Sequence, residues 1–198
     1  MESLAAVVGL LIVAAVTPGP NNFIVMERGL RTGFRGSLPP VAGIVAGSQL
    51  LLVVVWSGAG LLFAQAPALR AVLMAFGAGY LACLGLGVFR RGFKEETQGE
   101  ARPQPFCSTA GLVLFQFLNP KSWVLVLTAV AATAQESGDV ATLAALSALF
   151  LIITAPCLLL WAGLGASLTR FLASPVRSRW FDRIMGSLLV ISSGLLLI

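Results

Sequence analysis

Long apolar stretches dominate the chain, and only short polar connections separate them. A helix needs about 20 apolar residues to cross roughly 30 Å of hydrocarbon. Six windows of about this length are apolar, at 4–26, 38–64, 71–89, 108–133, 141–169 and 184–198. The pattern predicts an all-α integral membrane protein with six transmembrane helices.

Two of these windows, the first and the fourth, are interrupted by residues that break helices. The first break is Thr17-Pro18-Gly19-Pro20-Asn21-Asn22 and the second break is Asn119-Pro120-Lys121. Proline lacks a backbone donor and clashes with the preceding turn, so carbonyl groups are released from the helix. Such groups are tolerated at membrane depth only where protein or a hydrated cavity satisfies them. One break in each half of a chain indicates a transport site.

The charged connection at about 90–106 divides a single transmembrane domain, residues 1–198, into two halves of three helices, at about 1–89 and 107–198. An odd number of helices per half forces the halves into opposite orientations, which predicts an inverted repeat with both breaks near the midplane. The glycine pairs Gly79 with Gly87 and Gly186 with Gly194 have the same spacing. Glycines also recur by chance in membrane helices, so the breaks carry the argument.

Basic residues lie in connections that share one side of a six-helix bundle. The chain has a net charge of +5. Three groups carry most of the positive charge: Arg28, Arg31 and Arg35; Arg90, Arg91, Lys94 and Arg102; Arg170, Arg177, Arg179 and Arg183. The positive-inside rule makes this side cytoplasmic and places both termini outside. Juxtamembrane arginines meet anionic lipid headgroups, so the charge does not indicate a nucleic-acid partner.

The composition argues against an enzyme and against a bound cofactor or metal. The chain is 58% hydrophobic with a mean hydropathy of +0.93, and its longest polar connection is too short to form a soluble core. It contains no histidine. Its three cysteines, Cys83, Cys107 and Cys157, have no CxxC spacing, and we expect structural thiols.

Lys121 is the most informative residue of the two breaks, because it lies deep in an apolar window with no evident carboxylate partner in the spans. A cation there costs several kcal/mol unless it is paired or hydrated. It could bind an anionic substrate group, carry a proton, or extend to the membrane interface. The predicted substrate-binding residues are Pro18, Gly19, Pro20, Asn21, Asn22, Gln116, Asn119, Pro120 and Lys121.

At these residues the chain resembles the LysE/RhtB family of bacterial amino-acid exporters, which carry Thr-Pro-Gly-Pro-Asn in the first helix and Asn-Pro-Lys in the fourth. The likeness covers essentially the whole chain. The doubled asparagine, Ser48 and the short connection between helices four and five are most similar to the branch that exports cysteine and O-acetylserine.

The resemblance implies a secondary transporter in the bacterial inner membrane, exporting small amino acids or derivatives as a homodimer and driven by the proton-motive force. Many members carry an acidic residue where this chain has Ser48, which puts proton coupling at that position in doubt. An ion or heavy-metal exporter on a related scaffold is the alternative. Divalent cations prefer carboxylate, imidazole or thiolate ligands, whereas the breaks offer amides and a cation.

Overall fold

The computed structural model describes residues 2–59, 65–93, 108–133 and 140–195, and these ranges are helical with short connections. They contain eight α-helices: α1 Glu2–Val16, α2 Pro20–Gly36, α3 Leu38–Val54, α4 Pro67–Arg91, α5 Thr109–Leu118, α6 Pro120–Thr133, α7 Val140–Leu168 and α8 Pro175–Leu195. A π-helical turn, Val55–Ala59, extends α3, and a 3₁₀ turn, Phe171–Ala173, precedes α8. The all-α prediction is confirmed.

Two helical segments, Leu38–Gly58 and Val140–Leu168, are long and apolar enough to cross a membrane unaided. Two bent pairs reach that length when each is taken as one span, namely Val7–Val16 with Pro20–Gly36, bent by 44°, and Thr109–Leu118 with Pro120–Thr133, bent by 67°. Length and composition therefore support two to four spans in the part of the chain that the structure describes. The predicted breaks coincide with both bends.

Prolines explain where several helices begin. Proline is the first residue of α2, α4, α6 and α8, a position at which its missing N–H costs no helical hydrogen bond. At each break, a proline is therefore the first residue of the helix that follows: Pro20 at the first break and Pro120 at the second. The α5 helix begins differently, because the Ser108 hydroxyl accepts a hydrogen bond from the Gly111 amide at 3.0 Å.

Two helices extend further than their apolar windows predict. Arg28 and Arg31, expected to follow the first helix, lie within α2, where Arg31 pairs with Glu27 at 2.9 Å one turn away. Arg35 lies beyond a kink at Gly33, whose φ is +73°. The α8 helix begins at Pro175, nine residues before its apolar window, so Arg177, Arg179 and Arg183 lie in its first turns. Both helices continue past the apolar region, where their carboxylates lie beside arginines: Glu27 beside Arg31, and Asp182 beside Arg91.

Three clusters of buried apolar side chains hold the helices together. The first joins α1, α3, α6 and α7, the second joins α2, α3, α5 and α7, and the third joins α2, α4 and α8. The α7 helix thus takes part in two clusters. It also exposes large apolar side chains, as expected for a surface facing lipid: Leu151, Ile152, Leu160 and Leu164.

Glycines allow the closest helix contacts. The backbone of α2 lies against that of α7, with Gly29 beside the Ala162 carbonyl oxygen and Gly165 beside the Met26 carbonyl oxygen. Gly43 and Gly47 of α3 approach the α5 backbone in the same way. Of the two glycine pairs identified in the sequence, Gly186 meets α4, whereas a side-chain carbon at Gly79, Gly87 or Gly194 would contact nothing within 4 Å.

A group of charges ties α2 to α4 and α8. Glu27 is 9% exposed and accepts hydrogen bonds from Arg31 and Arg91, at 2.9 Å and 3.0 Å. Arg91 Nε also lies 3.9 Å from a carboxylate oxygen of Asp182, which is buried. Because each buried charge faces an opposite charge, the group joins the three helices without leaving a carboxylate unpaired.

Gly165→Ala should destabilise the protein, because the added methyl group would overlap the Met26 carbonyl oxygen. Overpacking of this kind typically costs about 1–3 kcal/mol. The measurement is the thermal unfolding temperature of the purified protein in detergent.

Gly163→Ala is the matched control on the same helix. A side-chain carbon there would meet only the Phe34 ring, at 3.9 Å and 4.0 Å. Alanine is also the better helix former, so the unfolding temperature should stay level or rise slightly. Equal unfolding temperatures for the two variants would contradict the proposed backbone contact.

Candidate functional site

A cavity lies at the two breaks, with α1, α2, α3, α6 and α7 around it. Its volume is about 50 Å³, several times the ~10–15 Å³ that one water molecule requires. The lining combines backbone and polar side chains of both breaks with an apolar wall from α6 and α7. The lining residues are Ala14, Ala15, Gly19, Pro20, Asn21, Asn22, Ser48, Asn119, Lys121, Ser122, Leu125, Val126, Phe150, Thr154, Cys157 and Leu158.

Asn22 satisfies the carbonyl groups that the first break releases. Its amide nitrogen donates to the oxygens of Ala15 at 2.8 Å and Thr17 at 3.0 Å. The Cys157 thiol of α7 also lies 3.0 Å from the Ala15 oxygen. The α1 helix can therefore end inside the bundle because side chains take the place of the missing helical donors.

Asn119 organises the second break. Its backbone amide still bonds the Gln116 oxygen of α5, while its side-chain oxygen accepts from the Lys121 amide at 3.1 Å in the first turn of α6. Asparagine is a preferred residue for such an N-terminal cap. The Trp123 indole completes the break by donating to the Phe117 oxygen at 2.8 Å.

Lys121 reaches across the cavity to the first break. Its Nζ donates to the Thr17 oxygen at 3.0 Å and lies against Gly19, where a side-chain carbon would come within 3.1 Å of the ammonium. Among the described residues, no carboxylate forms an ion pair with it. No carboxylate partner is evident in the sequence; the structure supplies a released carbonyl instead, which accepts from the ammonium without neutralising its charge.

An amide pair joins the two breaks behind the cavity wall. Asn21 Nδ2 donates to Gln116 Oε1 at 3.0 Å, and Gln116 Nε2 donates back to Asn21 Oδ1 at 3.1 Å. The Ser122 hydroxyl donates to the same Gln116 oxygen at 2.9 Å. Gln116 is 0% exposed, so these bonds form away from solvent, where an unmade hydrogen bond is costly.

The structure brings together most, but not all, of the predicted binding residues. Those that line the cavity are Gly19, Pro20, Asn21, Asn22, Asn119 and Lys121. Pro18 and Gln116 lie outside the lining. Pro120 is buried, and its ring lies beside Gly77 of α4. These three residues shape or brace the breaks without facing the cavity.

Several lining residues could not be identified from the sequence as binding residues. Ser48 and Thr154 are polar residues within apolar windows, a signal they share with serines and threonines that only bond neighbouring helices. Cys157, expected to be a structural thiol, faces the cavity as well. Ser122 follows Lys121 directly, and Phe150 has no polar signal at all. The sequence does not show which face of each helix turns toward the breaks, and that information is needed to identify these residues.

The cavity offers hydrogen-bond donors and one cation rather than metal ligands. Its lining contains amides, hydroxyls, a thiol and the Lys121 ammonium but no carboxylate. The positive ends of the α2 and α6 helix dipoles also face this region, since both helices begin at the breaks. Within the described ranges, no three histidine, cysteine, aspartate or glutamate residues are grouped as metal ligands would be. The arrangement suits a small solute that carries an anionic group.

An all-helical membrane protein with a polar cavity between two broken helices has the architecture of a transporter. A model of the LysE type translocator family matches residues 12–198, and the chain belongs to this family. Translocators move solutes rather than transform them, which confirms the prediction that the protein is not an enzyme. No solved structure matches the chain significantly.

Curated relatives of the chain are named as efflux proteins. Two cysteine/O-acetylserine efflux proteins, from Salmonella choleraesuis (strain SC-B67) and Salmonella typhimurium (strain LT2), are 34% identical to this chain over 123 residues. A third, from Salmonella paratyphi A, is 33% identical over the same length. Each match covers 60% of this chain and 58% of the relative, so the chain spans less than two thirds of these proteins.

Asn22→Leu should destabilise the protein, because it removes the amide that donates to the oxygens of Ala15 and Thr17. Losing a hydrogen bond to a buried group costs about 1–3 kcal/mol. The free energy of unfolding in detergent, from denaturant titration, measures the loss.

Cys157→Ala tests how much the thiol of α7 contributes to holding the Ala15 carbonyl oxygen. A thiol is a weak donor, and the Ala15 oxygen keeps its bond from Asn22 in this variant. We expect a smaller loss than for Asn22→Leu. A larger loss for the cysteine variant would assign the main support of the break to α7 instead.

Proposed function

We propose that the protein is a secondary transporter that exports small amino acids or their derivatives, and that the cavity between the two breaks is its substrate site. The observation that carries the proposal is Lys121, a half-buried cation facing a cavity whose described lining contains no carboxylate. A substrate carboxylate would supply the missing negative charge. Membership of the LysE type translocators supports a transport function.

The substrate carboxylate is proposed to bind between Lys121 and the first turns of α2 and α6. Lys121 now donates to a neutral carbonyl, that of Thr17. A carboxylate is a stronger acceptor for an ammonium group than a carbonyl is, because the hydrogen bond gains charge assistance on both sides. Gly19 and Pro20 would let the substrate approach the backbone, and Asn21, Asn22 and Asn119 would surround it with amides.

The size of the cavity favours small substrates. Its volume accommodates a few water molecules, and Phe150, Leu125 and Val126 limit it on the apolar side. The curated relatives are named for efflux of cysteine and O-acetylserine. We therefore propose cysteine, O-acetylserine and amino acids of similar size as substrates. Ser48, Thr154 and Cys157 would face the polar part of such a side chain.

The packing of the helices supports an inverted repeat in six spans. With α1–α2 and α5–α6 each taken as one broken span, the first broken span packs on α7 and the second packs on α3. Each broken span thus contacts the middle helix of the other half, while the third helices, α4 and α8, pack on each other. Exchanging the halves preserves this pattern, as a pseudo-two-fold axis requires. Rocking of the halves would alternate access to the cavity.

The basic connections orient this arrangement in the bacterial inner membrane. With the arginine-rich ends in the cytoplasm, both termini face outward. The charge group around Glu27 and Arg91 then lies toward the cytoplasmic side, and the cavity lies toward the outer side of the breaks. We also propose that the transporter is a homodimer, as the family resemblance implies.

Lys121→Met should abolish efflux, because it removes the proposed carboxylate ligand while keeping a long unbranched side chain. Loss of one partner of a buried charge pair predicts a decrease of about 100-fold or more. The measurement is efflux of radiolabelled L-cysteine and O-acetyl-L-serine from proteoliposomes, at equal amounts of reconstituted protein.

Thr128→Ala is the control for this variant, since Thr128 lies on the same helix with its side chain exposed. It should retain normal efflux. Wild-type rates for Lys121→Met would overturn the proposed site. Failure of the unmodified protein to move any of the small amino acids would overturn the proposed function itself.

Efflux of L-cysteine should accelerate when the compartment that receives the amino acid is the more acidic one, so that protons move against the direction of export. A protonophore should remove the acceleration. Because Lys121 is the only amine in the described lining, it is the proposed proton carrier as well as the carboxylate ligand. Rates that respond to membrane potential alone would argue against proton coupling.

A further inference from the structure

The orientation of the Gln116 side chain is fixed by a backbone carbonyl. Its Nε2 lies 3.3 Å from the Leu112 oxygen one helical turn earlier. A carbonyl oxygen can only accept, so the atom facing it must be the amide nitrogen. The Oε1 atom therefore faces the other way, toward Asn21 Nδ2 and Ser122 Oγ, at 3.0 Å and 2.9 Å.

This orientation determines the role of Ser122. An amide oxygen cannot donate, so the hydroxyl hydrogen of Ser122 must point at Gln116. The lone pairs of Ser122 Oγ remain, and among the described residues no hydrogen bond ends on them. Since Ser122 lines the cavity, its oxygen is available there as an acceptor rather than as a donor.

Asn21 is fixed so that it offers a hydrogen-bond donor to the cavity, whereas Ser122 offers an acceptor. Its Oδ1 accepts from Gln116 and, at 3.5 Å, from Asn119, while one hydrogen of its Nδ2 is used on Gln116 Oε1. The second amide hydrogen remains for the cavity, which Asn21 lines. Gln116 uses both of its hydrogens and both lone pairs in doing this, so it is fully satisfied and held rigidly.

We propose that Ser122 binds the ammonium group of the substrate and that Gln116 is a positioning residue, which holds Ser122 as an acceptor and Asn21 as a donor. The inference rests on the proposed function. In an amino acid the ammonium and the carboxylate share one carbon atom. Lys121 and Ser122 are neighbours in the first turn of α6 and both line the cavity, so one substrate can reach both. The site would thus select zwitterions over simple carboxylates.

Two probes separate the ammonium from the rest of the substrate. L-Cysteine and 3-mercaptopropionate have the same thiol and carboxylate, and only the first carries an ammonium group. Uptake of radiolabelled L-cysteine into inside-out vesicles, under reducing conditions, gives its KM. Inhibition of that uptake gives the affinity for 3-mercaptopropionate.

Ser122→Ala should raise the KM for L-cysteine about ten-fold or more, the usual effect of losing a hydrogen bond to a charged group. The inhibition constant of 3-mercaptopropionate should stay unchanged. Gln116→Leu should weaken both ligands, because it releases Asn21 as well as Ser122. Lys121→Met should also weaken both, since it removes the carboxylate ligand.

Gln49→Leu is the matched control, because Gln49 also lies in an apolar helix and donates to a backbone oxygen, that of Ser147, at 2.9 Å. It lies outside the cavity lining and should leave both constants unchanged. The exchange variant Asn21→Gln with Gln116→Asn keeps an amide pair of the same total length and should recover part of the L-cysteine affinity lost in Gln116→Leu.

The outcomes distinguish the two proposals. If the unmodified protein transports L-cysteine, Lys121→Met loses transport and Ser122→Ala keeps its KM, the role of Ser122 is overturned while the proposed function stands. Equal loss of both ligands in Ser122→Ala would also overturn it, since the effect would not follow the ammonium. Absence of L-cysteine transport by the unmodified protein would overturn both. If Gln116→Leu fails to fold, the Ser122→Ala variant by itself decides whether Ser122 binds the ammonium group.

Discussion

Everything distinctive about this protein depends on carbonyl groups that two broken helices leave without helical donors inside an apolar bundle. Lipid offers no replacement, so the donors must come from side chains. At the first break they come from Asn22 nearby, from Cys157 on α7 and from Lys121 in the other half of the chain. The first break therefore depends on donors from the other half of the chain, whereas at the second break the Phe117 oxygen accepts from Trp123 of the same half.

The same requirement explains why the polar groups are so completely paired. Gln116 makes four hydrogen bonds with no exposure, and a buried amide with fewer partners would cost more than an apolar residue in its place. Complete pairing also removes rotational freedom, so the groups that face the cavity have fixed polarity. The contacts that stabilise the breaks therefore also fix the polarity of the groups around the cavity. The Lys121 ammonium is the exception, because its partner is neutral.

The breaks and the all-helical architecture could be predicted from the sequence, because proline and glycine act locally and the apolar windows are long. Helix ends were harder to predict, since α2 and α8 continue into arginine-rich segments where the carboxylates Glu27 and Asp182 face Arg91 of α4, which is distant in sequence. Six of the nine predicted site residues line the cavity. The wall from α7 could not be predicted, because which face of an almost uniformly apolar helix turns inward is set by packing and leaves no polar pattern.

The glycine contacts between α2 and α7 constrain how a solute could pass the breaks. On the side of the breaks away from the cavity, main chain touches main chain at Gly29 and Gly165. A side-chain gate can open by rotating about its bonds, within picoseconds to nanoseconds. At Gly29 and Gly165 main chain meets main chain, so an opening between α2 and α7 at this level would require the two helices to separate. An opening between these two helices would therefore be a collective displacement of backbone rather than the rotation of a single side chain.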